Sequence, residues 1–253
     1  MIRAGYLIVF LLVICTCKSW AQYTIVPSWG GGADQQDLSF GFTFQYVNSD
    51  FKIVKKPDWQ TAVPPSNINP FSYNGRLTSI SSSSVPGFGI GFITRYSFTE
   101  HLEVRTTPQL VFSDKSISYT YDDDKSTSKT VSTTSVDVPL SLKFKSDRIG
   151  DFRMYVLGGV KTSFAISKKP DDVDAALDDK KVKMGRNYNA WEAGFGCDIY
   201  FEYFKLSPEL KFSNSFGNVL QAEPAVGNKP ANPFSSPISK LFLHTISFSL
   251  YFE

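Results

Sequence analysis

The sequence predicts an all-β fold, an eight-stranded antiparallel transmembrane β-barrel of the outer-membrane type, made after cleavage of a signal peptide. Apolar and polar residues alternate with a period of two in about eight segments, which is the side-chain period of a β-strand. The connections between these segments alternate between long polar tracts and tight turns. Barrels of outer membranes combine an even number of strands with long external loops and short periplasmic turns.

The N-terminal segment, residues 1–21, has the pattern of a secretory signal peptide. Arg3 precedes an apolar run at 6–14, and small residues stand before the predicted cleavage site after Ala21. The apolar run is short for a membrane-spanning helix of about 20 residues, which argues against a membrane anchor. Neither cysteine of this segment follows the small residue that lipoprotein processing requires.

Net charge and cysteine content argue against two further classes, nucleic-acid-binding proteins and disulfide-stabilised domains. Cleavage after residue 21 removes two basic residues and no acidic one, so the formal net charge falls from +2 to zero. A neutral chain does not indicate a nucleic-acid-binding surface. The mature chain keeps one cysteine, Cys197, so it has no internal disulfide, and we expect this thiol to be an inert packed group on the apolar side of its strand.

The barrel is predicted to occupy residues 38–253, after a short periplasmic leader at 22–37. The predicted strands lie at 38–46, 87–98, 102–112, 136–145, 152–164, 191–199, 204–212 and 242–252. Long tracts after the first, third, fifth and seventh strands are predicted as external loops, at 55–84, 122–131, 167–187 and 217–239. Tight turns at 99–101, 146–151 and 200–203 connect the other neighbours.

The alternation defines an aromatic side and a charged side for each strand, and we expect the aromatic side to face lipid. The charged side then faces the interior, where opposite charges can pair. An eight-stranded barrel is only just wide enough to be filled by side chains, so we predict no open pore, with a gated proton or solute path as the alternative. The predicted inner charges are Arg95, Glu103, Arg105, Asp137, Lys143, Lys145, Arg153, Lys161, Glu192, Asp198, Lys205, Glu209 and Lys211.

Two smaller expectations concern aromatic residues and prolines. Aromatic residues crowd the short-turn end, where they would form an interfacial belt. The predicted belt comprises Tyr96, Phe98, Phe152, Tyr200, Phe201, Tyr203, Phe204, Tyr251 and Phe252. Pro108, Pro139 and Pro208 lie inside predicted strands, and each removes a hydrogen-bond donor, so we expect bulges there.

No enzyme is predicted. A barrel that deacylates lipid A needs His and Ser two residues apart on one lipid-facing side, so that the imidazole can activate the hydroxyl. His244 is followed at that spacing by Ile246, and His101 by Glu103. The sequence also contains no G-x-S-x-G motif. His244 points toward lipid, either as an interfacial residue near the outer rim or as a contact with a partner protein.

Metal sites are not predicted either. The acidic residues at 122–124 and 171–179 lack the EF-hand spacing, and lysines lie close to the second group, which favours solvated loops. Two histidines and one packed cysteine do not make a zinc site. We therefore assign no catalytic, cofactor-binding or metal-binding residues.

Several segments carry a family resemblance. They are VPGFGIGFITRYSF at 85–98, DVPLSLKFKSDRIGDFRMYVLGGVK at 137–161, WEAGFGCDIYFEYFKLSPELKFSNSFGNVL at 191–220 and the ending SFSLYFE. These segments resemble the PorT family of Bacteroidetes, outer-membrane barrel proteins of the type IX secretion system. The resemblance covers most of the chain from about Leu38, and its most specific parts are DVPLSLKFKS and FEYFKLSPELKFS.

The resemblance implies a role in exporting proteins that bear a C-terminal sorting domain, including surface adhesins and secreted enzymes. It carries no catalytic motif. We therefore expect a non-enzymatic scaffold or assembly factor in the outer membrane of a Gram-negative bacterium, with both termini periplasmic. Its expected partners are membrane lipid and other secretion components, with no nucleic acid and no small-molecule substrate. A small-barrel adhesin or envelope-stabilising protein that binds through its loops, and a small solute channel, remain the alternatives.

Overall fold

The computed structural model describes residues 36–60, 76–122, 126–166, 182–221, 232 and 234–253. The predicted signal peptide, most of the leader and the acidic group at 171–179 lie outside the described residues. Within them, no helix is long and apolar enough to cross a membrane.

Twelve strands occur in the described part of the chain. They are β1 (Leu38–Lys55), β2 (Leu77–Ser83), β3 (Val85–Ser97), β4 (Leu102–Thr106), β5 (Gln109–Tyr121), β6 (Ser126–Lys145), β7 (Phe152–Ala165), β8 (Lys183–Met184), β9 (Asn187–Tyr200), β10 (Lys205–Ser215), β11 (Leu220–Gln221) and β12 (Ile238–Phe252). Ten of these strands form one sheet, and β8 and β11 form a separate two-stranded ribbon.

The ten-stranded sheet closes into an eight-stranded antiparallel barrel. β2 and β3 follow each other as one barrel strand, as do β4 and β5. β1 closes the ring, because it pairs with β12 from Phe42↔Phe252 onward and with β3 from Leu38↔Tyr96 onward. The predicted fold class is therefore confirmed.

The half of the barrel nearest the short turns, called here the turn half, has apolar side chains outside and polar side chains inside. On β1, Phe40 and Phe44 are 65% and 53% exposed, whereas Thr43 is 2% exposed. On β3, Phe92 is 74% exposed and Arg95 only 1%. The side assignment made from the alternation is thus correct for this half.

The polarity reverses in the other half, called here the loop half. Beyond Tyr46, the outward positions of β1 become polar, at Asp50 and Lys52, while the inward positions Val47 and Phe51 are buried. Side chains keep their period of two along the whole strand, so the change is one of residue type and not of register. A strand that leaves the membrane meets water outside, and there an apolar interior with a polar exterior is the stable arrangement.

The predicted loop boundaries need correction for this reason. The segment 55–84 contains β2, and 122–131 contains the start of β6 at Ser126. The segments 167–187 and 217–239 contain the ribbon strands β8 and β11 and the first residues of β9 and β12. Outward positions in these strand ends are mainly Ser and Thr, so they lack the apolar alternation that marks a strand in sequence.

The bulges expected at the prolines are absent. The pairing of β6 with β7 runs across Pro139 without a shift, and that of β10 with β12 runs across Pro208. The residues on either side of Pro108 pair with β6 in one register. A missing donor removes one ladder bond, but neighbours on both sides of a closed ring hold the register. The register shifts in the described strands lie between Val54 and Lys55 and between Leu77 and Ser79.

Most of the predicted aromatic belt lies on the outer surface, but two members do not. Tyr200 is 3% exposed and Tyr251 is fully buried, so both point into the barrel. The parity of the strand explains this, because Tyr251 continues the inward row of Ser247 and Ser249.

Candidate functional site: the filled interior and its closure

The centre of the barrel is occupied by one carboxylate, that of Glu209 on β10, which is 1% exposed. It accepts hydrogen bonds from Arg105 Nη2 at 2.6 Å, Tyr155 OH at 2.9 Å and Tyr251 OH at 3.1 Å. Lys211 Nζ lies 3.8 Å from the same group. Arg105 belongs to β4, four strands away from β10 around the ring, so this contact crosses the barrel.

Aromatic rings fill the space between the charges. The Arg105 guanidinium carbon lies 4.4 Å from the ring centroid of Tyr251, and Lys143 Nζ lies 3.8 Å from that of Tyr155. Cations over ring faces gain electrostatic stabilisation in addition to packing. The two tyrosines therefore make both ring contacts and hydrogen bonds within the network.

A second group of ion pairs lies closer to the short turns. Lys143 Nζ bonds both oxygens of Asp198 at 2.9 Å, and Ser207 Oγ donates to Asp198 Oδ1 at 2.6 Å. The side chains of Lys143 and Asp198 are both fully buried. This pair connects β6 with β9.

The C-terminal residue takes part in the same group. The Glu253 carboxylate pairs with Arg95 and, at 3.0 Å, with Lys205 Nζ. Glu103 pairs with Arg95 at 3.4 Å and with Lys145 at 3.2 Å. Acidic and basic side chains thus alternate across the turn end of the interior.

A third group lies toward the loop half, around Asp137. Its carboxylate accepts hydrogen bonds from Ser135 at 3.0 Å and Ser163 at 2.6 Å, and it lies 3.3 Å from Lys161 Nζ. Lys161 also lies 3.5 Å from Glu192. A cavity of about 10 Å³ beside this group has room for one water molecule.

An apolar core closes the barrel beyond the third group. Its buried members are Phe51, Leu77, Ile80, Ile117, Tyr119, Val182, Val219, Phe234, Ile238, Leu241 and Leu243. Three of them, Val182, Val219 and Phe234, come from connections between strands. Tyr119 OH donates to the Phe234 carbonyl at 2.7 Å, and burial raises the pKa of this phenol, which keeps it a donor. Within the described residues, side chains therefore occupy the interior from the short turns to the apolar core.

Twelve of the thirteen predicted inner charges are buried, and Arg153 is half-buried near the short turns. Three residues of this network were not predicted from the sequence: Tyr155, Glu253 and Tyr251, which was expected in the aromatic belt. Strand parity was the available signal for all three residues, since each follows an inward polar row.

The two histidines do not meet a candidate nucleophile. His244 faces outward on β12, between Asp50 of β1 and Asn214 of β10 in the strand register. His101 lies in a short turn, with Nε2 2.9 Å from Asp147 Oδ1. Cys197 is partly exposed on the outer face. In the part of the chain that the structure describes, no three His, Cys, Asp or Glu side chains come together as a metal site.

Comparisons with known proteins add an independent observation. A family model described as "Outer membrane protein beta-barrel domain" matches residues 33–221, which is well over half of the chain. No curated protein matches the chain.

Similar solved structures have low sequence identity to this chain. OprG from Pseudomonas aeruginosa is 12% identical over 85% of this chain and 93% of that chain, with a TM-score of 0.44. Neisserial surface protein A is 9% identical over 85% and 98%, with a TM-score of 0.41. Ail of Yersinia pestis, solved in complex with the heparin analogue sucrose octasulfate, is 12% identical over 86% and 99%, with a TM-score of 0.36.

Proposed function

We propose that this chain, which belongs to the outer membrane protein β-barrel family, serves type IX secretion as a non-enzymatic, non-conducting component of that membrane. In this role it is needed for the export of proteins with C-terminal sorting domains, and it acts as a scaffold or assembly factor. Its partners are membrane lipid and other components of the secretion machinery.

The filled interior is the observation that carries this proposal. Buried ion pairs occupy the turn half, and an apolar core that includes residues of the connections closes the loop half. A barrel without an internal passage acts through its lipid-facing wall, its loops or its turn end. Such surfaces suit a protein that holds or assembles others.

The family resemblance points to the same surfaces. The segments 85–98, 137–161 and 191–220 supply β3, the last nine residues of β6 with most of β7, and most of β9 with β10, together with two of the short turns. These are parts of the wall and of the turn end. We therefore place the contact with other secretion components there, with the short turns and both termini in the periplasm.

Deletion of the gene tests the proposal. We expect sorting-domain cargo to disappear from the cell surface and to accumulate in the periplasm, as measured by protease accessibility of the cargo on intact cells. The wild-type gene should restore export. Normal surface display in the deletion strain would refute the role in secretion.

A second candidate function is adhesion or envelope stabilisation through the loops. It is favoured by the length of β1, β5 and β6, which extend past the apolar belt with polar outer faces. Arg76 Nη2 lies 2.6 Å from Gln60 Oε1, so a short linker can replace residues 62–74. An adhesin would lose ligand binding in this trimmed variant, whereas a scaffold that acts through wall or turns would still support export.

A solute channel is the third function to be tested. The ion pairs and the apolar core predict that the purified barrel stays silent in planar lipid bilayers. Regular single-channel steps at moderate voltage would contradict a filled interior and favour transport.

A further inference from the structure

Two lysines lie on the outer surface just beyond the lipid-facing belt. Lys52 on β1 and Lys240 on β12 are exposed and face outward, with Lys52 opposite Phe242 and Lys240 opposite Val54 in the register. The two lysines are therefore diagonal neighbours on one face, with Cβ atoms about 7–8 Å apart. Side chains of this length can bring both ammonium groups to a single anion.

The two ammonium groups are available for such a ligand. Neither lysine has an ion-pair or hydrogen-bond partner within the described residues. Asp50, the nearest outward carboxylate, lies two residues before Lys52 on the same face and directly opposite His244 in the register. Two lysines stand against this one carboxylate, so the local charge remains positive.

Their height on the barrel indicates which environment they meet. The exposed apolar side chains Tyr46 and Ile246 lie six residues below Lys52 and Lys240 on their strands, and the outward residues in between are mostly polar: Asn48 and Asp50 on β1, Phe242 and His244 on β12. Phe242 stands directly opposite Lys52 and next to Lys240 in its outward row, and lysine side chains commonly lay their methylene stems along such apolar surface while the charge reaches the polar layer. The pair thus stands just above the apolar belt, at the level of the polar layer.

Other outward positions at this height are mostly uncharged and polar. They include Ser116, Ser118, Thr130, Ser132, Asn187, Asn189 and Asn214, whereas Asp114, opposite Ser132, is acidic. Positive charge on the described barrel strands at this level is therefore concentrated on the β1–β12 pair.

We propose that Lys52 and Lys240 bind the phosphate of a phosphorylated glycolipid in the outer leaflet of the membrane. An ammonium group is a compact phosphate ligand, and two of them on one anion reinforce each other. The site rests on the orientation proposed for the barrel, with its loops outside, and it does not depend on the secretion role. It fixes one side of the barrel against the lipid.

Binding of diphosphorylated lipid A to the refolded full-length mature chain in detergent micelles tests this site. Each lysine near a membrane surface contributes about fivefold to the binding of an anionic lipid. We expect Lys52→Gln with Lys240→Gln to weaken binding about thirtyfold, measured by titration with fluorescent lipid A. The matched control, Lys183→Gln with Arg186→Gln, removes two positive charges at the same end of the barrel and should leave the affinity unchanged.

Binding of other lipids shows whether the phosphate groups of lipid A are recognised. Dephosphorylated lipid A should bind as weakly to the wild type as lipid A does to the double variant, and phosphatidylglycerol should compete poorly. Equal loss in the control variant, equal binding without phosphate, or equal binding of phosphatidylglycerol would each overturn the proposal. Refolding of each variant is checked by the change in its electrophoretic mobility on heating. If the glutamine variant fails to refold, the variant Lys52→Arg with Lys240→Arg must still bind lipid A with the wild-type affinity.

Discussion

The two halves of the barrel bury opposite kinds of side chain, although the same strands build both. On β12, the inward residues of the turn half are Ser249 and Tyr251, whereas those of the loop half are Leu241 and Leu243. The outward residues change in the opposite sense, from Phe248 to Lys240. The medium outside each half therefore decides which parity of the strand is apolar.

The loop half and the turn half of the barrel also differ in what stabilises them. In the loop half, water surrounds the strands and apolar side chains associate inside, as in a soluble protein. In the turn half, the lipid accepts the apolar side chains and the interior must hold charges. Buried charges are tolerated only when they are paired and hydrogen-bonded, which the Glu209 network achieves with four partners.

The largest effect should come from breaking the ionic centre. Glu209→Ala leaves Arg105 and Lys211 buried without their carboxylate, and an unpaired buried charge costs about 3–5 kcal/mol. Urea unfolding in lipid vesicles, followed by tryptophan fluorescence, measures the loss. Glu202→Ala in an exposed turn is the matched control, with an expected change within about 0.5 kcal/mol. A loss below about 1 kcal/mol for Glu209→Ala would mean that the network does not stabilise the barrel.

The second-largest loss of stability should come from a charge placed on the outer wall of the turn half. Phe248→Arg puts a guanidinium into the apolar belt and should cost about 2–4 kcal/mol, as arginine does near the membrane midplane. Ser118→Arg, outward in the loop half, should change stability by less than about 0.5 kcal/mol. The same unfolding assay applies, and equal costs at the two positions would contradict the difference in medium.

A smaller effect should come from removing single hydroxyl groups. Tyr251→Phe removes the hydroxyl that donates to Glu209 and accepts from Lys211. Because both partners are charged, the free energy of unfolding should fall by about 2 kcal/mol. Tyr119→Phe removes a bond to a neutral carbonyl in the loop half and should cost about 1 kcal/mol. The reverse order would show that charge assistance is unimportant in the turn half.

The sequence was sufficient to predict the barrel and the contents of its turn half. A period of two with Phe44 on one side and Gln45 on the other assigns each residue to a face, and the charges follow. Alternation does not give the height of a residue relative to a distant strand. The pair Arg105 and Glu209, 104 residues apart in the chain, is therefore invisible before the ring is closed.

The strands of the loop half were not predicted, because the residue types on their two faces differ from those of the turn half. Where the exterior is water, serines such as Ser116 and Ser118 occupy the outward positions, so the outward apolar row that predicts a strand in the turn half is absent. Residues such as Phe234 belong to connections, whose fold depends on the barrel mouth that they close. Tyr200 and Tyr251 were avoidable errors, since parity alone places both inside.

Spin labels at outward positions of β1 show whether the surroundings change from hydrocarbon to water along the strand. Phe44→Cys, Tyr46→Cys, Asp50→Cys and Lys52→Cys are each introduced into a Cys197→Ala background, labelled and reconstituted in lipid vesicles. The labels at Phe44 and Tyr46 should collide mainly with dissolved oxygen, which concentrates in hydrocarbon. Those at Asp50 and Lys52 should collide mainly with a water-soluble nickel complex. The same collision preference at all four positions would mean that the medium outside the barrel does not change along β1.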